Sequence, residues 1–161
     1  MIPNSITIFT DGSSRGNPGP GGYGAIIISD TRVQEIGGRE EHTTNNRMEL
    51  RAAIEPLKSV SLESKVTVVA DSEYVVKGIT LWISGWVKKG WRTAGKKPVL
   101  NQDLWQELLT VTQGKNISWQ TVRGHAGVAL NERADVIATA FADAEPIALF
   151  NGPRNKYPIS L

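Results

Sequence analysis

Cysteine is absent from this chain, which excludes disulfides and thiolate metal sites. The absence fits a reducing compartment, so a cytoplasmic protein is expected. Histidine is scarce, with two in all and no closely spaced pair to argue for zinc. No apolar run approaches the roughly 18 residues of a membrane span, and the basic-then-apolar start of a signal peptide is missing. No membrane association is therefore expected. One acid-free stretch is also strongly basic. Residues 82–101 hold five bases and no acid, which leaves 13 bases against 16 acids elsewhere. The net charge of +2 therefore comes from one segment, a pattern that points to local contact with a polyanion rather than a basic protein at large.

What is present describes one domain. A chain of 161 residues, 40 % hydrophobic and 21 % charged, can bury a core without staples. Residues 5–10 read as a strand ending at Asp11-Gly12, followed by a Gly/Pro-rich loop over 12–22. A second strand is predicted over Tyr23–Ser29 and a third over Arg32–Glu41, with Gly37-Gly38 as a bulge or bend. The apolar stripe Met48, Leu50, Ala53, Ile54, Leu57 predicts a helix over Thr44–Lys58, kinked or stopped at Pro56. Lys65–Ala70 has the near-continuous apolar character of a buried parallel strand. Helices are predicted over Ser72–Ile79, Leu81–Lys88, Gln102–Thr112 and Asn131–Ala142, with a strand over Ile117–Val122. Two hairpin reversals cancel, so the third strand runs parallel to the first, and a helical crossover brings in a fourth parallel to both. Residues 1–143 form the domain, including a basic protrusion at about 82–101, and 144–161 form a tail that is irregular or docked.

Four acids stand out by position. Asp11 and Asp71 fall at the same end of parallel strands, where open α/β sheets bind ligands; Glu49 and Asp135 lie near helix starts whose loops arrive at that edge. Each alone has an ordinary explanation. Asp11-Gly12 is a common turn pair, Asp71 is a helix cap, and Glu49 and Asp135 are solvated helical residues. Four carboxylates in one cleft, however, repel unless protonated or neutralised by a cation. Their hard oxygen atoms select Mg²⁺ or Mn²⁺, and two such ions suit phosphodiester hydrolysis. Glycoside hydrolysis, the other two-carboxylate chemistry, needs an acid in an apolar pocket and leaves the basic segment unexplained.

The strings around these acids are longer than any single motif. They are Phe9-Thr10-Asp11-Gly12-Ser13, Gly16-Asn17-Pro18-Gly19-Pro20-Gly21-Gly22, Thr43-Thr44-Asn45-Asn46-Arg47-Met48-Glu49-Leu50, Asp71-Ser72-Glu73-Tyr74-Val75, Lys96-Lys97-Pro98-Val99, and Gly124-His125-Ala126-Gly127 followed by Asn131-Glu132-Arg133-Ala134-Asp135. In this order and at these separations the chain resembles a type 1 ribonuclease H of the bacterial kind, from about Ile6 to Ala142.

The resemblance implies an α/β, ribonuclease H-like fold: a five-stranded mixed sheet of order 3-2-1-4-5, strand 2 antiparallel, with helices on both faces. It implies an endonuclease that cuts the RNA strand of RNA–DNA hybrids by two-metal hydrolysis, leaving 5′-phosphate and 3′-hydroxyl ends. Asp11, Glu49, Asp71 and Asp135 are then the metal-binding catalytic acids, holding two Mg²⁺ ions with substrate, with Mn²⁺ able to substitute. His125 is an auxiliary catalytic group that aids proton transfer or release of product and metal. Gly12, Ser13, Ser14, Asn17, Asn45 and Asn46 face the RNA strand, whose 2′-hydroxyl both donates and accepts. Thr44 and Asn101 grip a DNA phosphate.

The basic segment corresponds to a protruding arm whose substrate contacts are Trp82, Lys88, Lys89, Trp91, Arg92, Lys96 and Lys97. One of Trp82 and Trp86 is expected to pack the arm onto the body; Trp91, beside Arg92 and between lysine pairs, is harder to place in a core. Two residues depart from the pattern. Glu73 stands where bacterial relatives usually carry Gln, among the RNA-facing residues, and Val87 replaces a usual base. The expected partner is an RNA–DNA hybrid, the expected state a monomer, and the tail is a place for a replication or single-strand-binding partner. The competing readings are a hybrid-binding module without catalysis, which would lack an acid, and a strand-transfer or integrase-type enzyme, which would lack the Asn-rich and Gly-Asn-Pro strings.

Overall fold

The computed structural model describes residues 5–122 and 128–161. A mixed sheet forms its centre, built from β1 (Ser5–Ser14), β2 (Gly19–Ile28), β3 (Arg32–Thr43), β4 (Lys65–Ala70), β5 (Asn116–Thr121) and a short β6 (Asn151–Pro153). Their spatial order is β5-β4-β1-β2-β3-β6. The meander β1-β2-β3 is antiparallel, while β4 and β5 run parallel to β1 as crossover geometry requires. The expected order 3-2-1-4-5 is present, and the tail extends it by a sixth strand paired antiparallel to β3.

The α-helices of the described chain are five: α1 (Asn45–Leu57), α2 (Glu73–Lys77), α3 (Ile83–Lys88), α4 (Gln102–Thr112) and α5 (Val128–Ala142). α1 starts where Thr44, extended at φ −125° and ψ 164°, accepts a hydrogen bond from the Arg47 N–H. Such a cap satisfies one of the free amides of the first turn. Pro56 lies in the last turn of α1, where the missing N–H removes only the bond to the Ala52 carbonyl; the ladder runs past it through the Lys58 N–H to the Ile54 carbonyl at 3.3 Å before the helix ends at Leu57. α2 and α3, predicted as separate helices, are joined by the π-helical turn Gly78–Trp82.

The two faces of the sheet carry two cores. Ile8, Val66 and Val68 pack with Leu50, Ile54 and Leu57 of α1 and with Leu104, Trp105 and Leu108 of α4. On the opposite face Phe9, Ile26 and Val33 pack with Leu130, Ala134 and Ile137 of α5, joined by Tyr157 of the tail.

Gly37 and Gly38 do not form the expected bulge. They hold regular register against Gly24 and Tyr23, and the irregularity lies at Gly19/Gly21 on the partner strand. Their lack of a side chain serves packing instead, since a Cβ at Gly37 would strike the ring of Phe141 and one at Gly38 the ring of Tyr23.

Candidate active site

Strand pairing sets the first two acids. β1 and β4 are in parallel register up to Thr10↔Ala70, so Asp11 and Asp71, each the next residue, stand side by side at one end of adjacent strands. Glu49 sits in the early part of α1, which is drawn onto β1 at Gly12; a Cβ there would lie 2.8 Å from the Glu49 Cα and closer still to its amide nitrogen. Only glycine allows that approach. Asp135 arrives from the other face of the sheet on α5 and comes within hydrogen-bonding reach of Asp11.

The four acids differ in environment. Asp11 and Glu49 are each 5 % exposed, whereas Asp71 and Asp135 are exposed. Burial raises the Asp11 carboxyl from its ordinary 3.8 to about 7; contact with Glu49 opposes that rise, while Asp135 and the charge of Asp71 add to it. Burial, then the charge of Asp11, pushes Glu49 well above the ordinary carboxylate range, against the pull of the Gly12 N–H. A buried pair of this kind shares a proton at neutral pH unless positive charge enters. The Gly12 N–H also donates to Asp11 Oδ1 at 3.0 Å, but Glu49 Oε2 is buried without any hydrogen-bond partner. An anionic oxygen buried without a donor fits a cation better than it fits a protein interior. Among the described residues no three acidic or histidine side chains already close on a single point; Asp71 meets the others at Coulombic range.

The expected substrate residues gather on the same edge. Asn17 Oδ1 accepts from the Asn45 N–H at 3.4 Å, tying the β1–β2 loop to the start of α1. Asn45 and Asn46 are exposed there, and Ser13 and Ser14 are partly so. The Thr44 hydroxyl oxygen is engaged as the α1 cap, and Arg47 of that helix reaches across to Asn101 Oδ1 at 3.4 Å, so the two expected phosphate-gripping residues are neighbours. Arg47 also makes a two-pronged pair with Asp103, at 2.9 and 2.8 Å. The Tyr74 hydroxyl accepts from both Asn101 Nδ2 (3.1 Å) and Trp105 Nε1 (3.0 Å). Arg47 and Tyr74 thus orient Asn101, although only the ordered strings that contain them singled them out in the sequence. His125 lies outside the described residues.

The basic arm projects from α3. Lys88, Lys89, Arg92, Lys96 and Lys97 are all exposed, and the segment folds back on itself through a bridge between Arg92 and Pro98. Trp86 packs edge-on to the buried Trp105 at 5.3 Å, and Trp82 remains 39 % exposed. The expectation for Trp91 needs correcting: it is half-buried, packed 6.2 Å from Trp86 and against the same core. An exposed loop can still carry an inward tryptophan, because the ring covers apolar surface that the turn would otherwise leave wet. Glu73 begins α2, exposed, with Lys77 Nζ at 3.3 Å. It also lines a cleft of about 700 Å³ over β4 and β5, which contains none of the four acids.

A family model for ribonuclease H (RNase H) matches residues 3–143. The chain belongs to the ribonuclease H family. It is 53 % identical over 133 residues to a ribonuclease H of Pelobacter propionicus, covering 83 % of this chain and 82 % of that one. It is also 53 % identical over 146 residues to the ribonuclease H of Thermosynechococcus vestitus, covering 88 % and 91 %. Among solved structures it is similar to LC9-RNase H1, a type 1 RNase H with the type 2 active-site motif, with TM-score 0.79, 31 % identity, and coverage of 94 % of this chain and 79 % of that one. Membership in the ribonuclease H family makes this a hydrolase.

Proposed function

We propose that this ribonuclease H hydrolyses the RNA strand of RNA–DNA hybrids at Asp11, Glu49, Asp71 and Asp135, leaving 5′-phosphate and 3′-hydroxyl ends. The observation that carries the site assignment is the buried pair Asp11 and Glu49, both pushed up by burial and with Glu49 Oε2 lacking any donor. No fold gains stability from such a pair by itself. The donors are all oxygen, so the residues fit Mg²⁺ or Mn²⁺. Bound there, divalent cations supply activation of a water and stabilisation of the leaving oxygen.

The chain's own residues select and hold the substrate. Asn17, Asn45 and Asn46 offer amides that donate to and accept from a 2′-hydroxyl. Asn101, with its Oδ1 turned to Arg47 and one Nδ2 proton to Tyr74, keeps its second Nδ2 proton for a phosphate oxygen. The exposed lysines of the arm track the other strand's backbone. His125 serves proton transfer or release of product. The deciding experiment is cleavage of a labelled hybrid beside duplex RNA and duplex DNA, with Mg²⁺ and with a chelator. Equal cutting of duplex RNA would sink the proposal.

Two further outcomes are expected. If all five arm bases meet phosphates, the log–log salt slope of hybrid binding is roughly −4. Replacing Lys88, Lys89, Lys96 and Lys97 by Ala should flatten it to about −1 and raise KM; an unchanged slope would remove the arm from the substrate. Glu73→Gln should lower KM for the hybrid about two- to fivefold with kcat little changed, since it deletes a charge beside phosphate and gains a donor. A KM that rises instead would mean that Glu73 accepts from the RNA and is needed as an acid.

A further inference from the structure

Besides Asp11 and Glu49, one other acid is buried among the described residues. Glu35, on β3, has a side chain only 1 % exposed. It receives four hydrogen bonds: Arg133 Nε to Oε2 at 2.8 Å and Nη2 to Oε1 at 2.9 Å, the Phe150 N–H to Oε1 at 2.9 Å, and the Tyr157 hydroxyl to Oε2 at 2.7 Å. Arg133 Nη2 also donates to the Ala148 carbonyl at 2.9 Å. One carboxylate therefore joins three separate pieces of chain, namely β3, α5 and the tail. A surface tail needs nothing so costly to seat it; a fully bonded ion pair gives up water that an apolar contact would not.

Arg133 precedes Asp135 by two residues on α5, which places the two side chains about 200° apart around the helix axis. One points out to the tail while the other meets Asp11. The inner face of α5 lies against β2 so closely that a Cβ at Gly24 would be 2.6 Å from the Ala134 carbonyl oxygen. The far end of the helix is fixed by the two-pronged pair of Arg15 with Asp143, at 2.6 and 2.7 Å. Asp11 and Asp71 are set by a hydrogen-bonded ladder, and Glu49 by backbone packing at Gly12. Asp135 has neither. It is exposed, and its reach depends on how α5 is seated.

We propose that Glu35, Arg133 and Tyr157 form a clasp through which the C-terminal tail positions Asp135 at the acid cluster. They are positioning residues, acting through α5 and touching no substrate. The inference rests on reading the four acids as a divalent-metal site.

The test uses the full chain, with Tyr157→Phe, Arg133→Lys and Arg133→Met. Mn²⁺ binding is titrated calorimetrically without substrate, and kcat, KM and the Mg²⁺ concentration for half-maximal cleavage are measured on the hybrid. Loosening an outer support of a metal ligand is expected to weaken Mn²⁺ binding and lower kcat by about tenfold in Arg133→Met. Tyr157→Phe, which leaves three of the four bonds to Glu35, should show about threefold on both, and Arg133→Lys should recover part of the Met loss. KM for the hybrid should stay within about twofold throughout. Variants that melt earlier yet keep wild-type Mn²⁺ affinity and kcat would overturn the clasp and leave it merely structural. If Arg133→Met fails to fold, Tyr157→Phe decides alone. A wild-type protein that binds Mn²⁺ but leaves the hybrid uncut would instead overturn the functional reading, and the Mn²⁺ titrations would still judge the clasp.

Discussion

Asp11→Asn should abolish hybrid cleavage, preserve hybrid binding, and make the metal-free protein more stable at pH 8. Removing a cluster acid forfeits several kcal/mol of transition-state charge stabilisation, and each 1.36 kcal/mol is tenfold, so a loss of about 10³-fold or more is expected. The stability gain has the opposite origin. Burial raises the folded-state Asp11 to about 7 from an ordinary 3.8, so the folded protein holds its proton more tightly than the unfolded chain. Stability therefore falls as pH rises from about 4 to about 7 and stays low above that, a loss of about 4 kcal/mol if the group stood alone. Asparagine keeps the shape without the charge. Allowing for burial of its amide and for Glu49 sharing the repulsion, a gain of about 1–3 kcal/mol is expected at pH 8, vanishing near pH 4. Urea melts in chelator at the two pH values check it, and added Mg²⁺ should stabilise the wild type more than the variant. Appreciable Mg²⁺-dependent cleavage by Asp11→Asn would remove Asp11 from the chemistry.

Gly12→Ala should damage stability and catalysis together. The new methyl would fall within contact distance of the Glu49 amide nitrogen, the Met48 carbonyl carbon and the Glu49 Cα. All three are backbone of α1 and cannot swing aside as a flexible side chain would. β1 and α1 must separate, and overpacking that the surroundings cannot absorb costs about 3 kcal/mol or more. The same shift parts Glu49 from Asp11, and a misplacement of about 1 Å costs about 10²-fold in kcat. Gly85→Ala is the control. Its Cβ would meet nothing within 4 Å, so on α3 it should be neutral or stabilise by up to about 1 kcal/mol. A Gly12→Ala protein with wild-type kcat and melting point would show that the close approach has no bearing on the site.

Much of this molecule is legible in its sequence. The strand-end position of Asp11 and Asp71 followed from counting reversals, and the start of α1 from Thr44 before an apolar stripe. Other features were hidden because they are made by side chains distant in sequence. Gly37-Gly38 suggested a bulge on local grounds, but the rings of Phe141 and Tyr23 are what claim the space. Trp91 sits among lysines yet turns inward onto Trp86. The tail offered prolines, a glycine and scattered apolar and polar residues without a period, and nothing within it announces that Glu35, more than a hundred residues earlier, is its anchor.

The sequence by itself determined the residue types on which the proposed chemistry rests. No cysteine, four acids beside turns and helix starts, and one arm of bases without acids are what point to a hard cation and a polyanion, because residue type and charge survive any folding. Tertiary structure alone decided which acids are buried together, which oxygen is left without a donor, and how α5 is held. Those depend on burial and on distances across the sheet, and a linear pattern encodes neither.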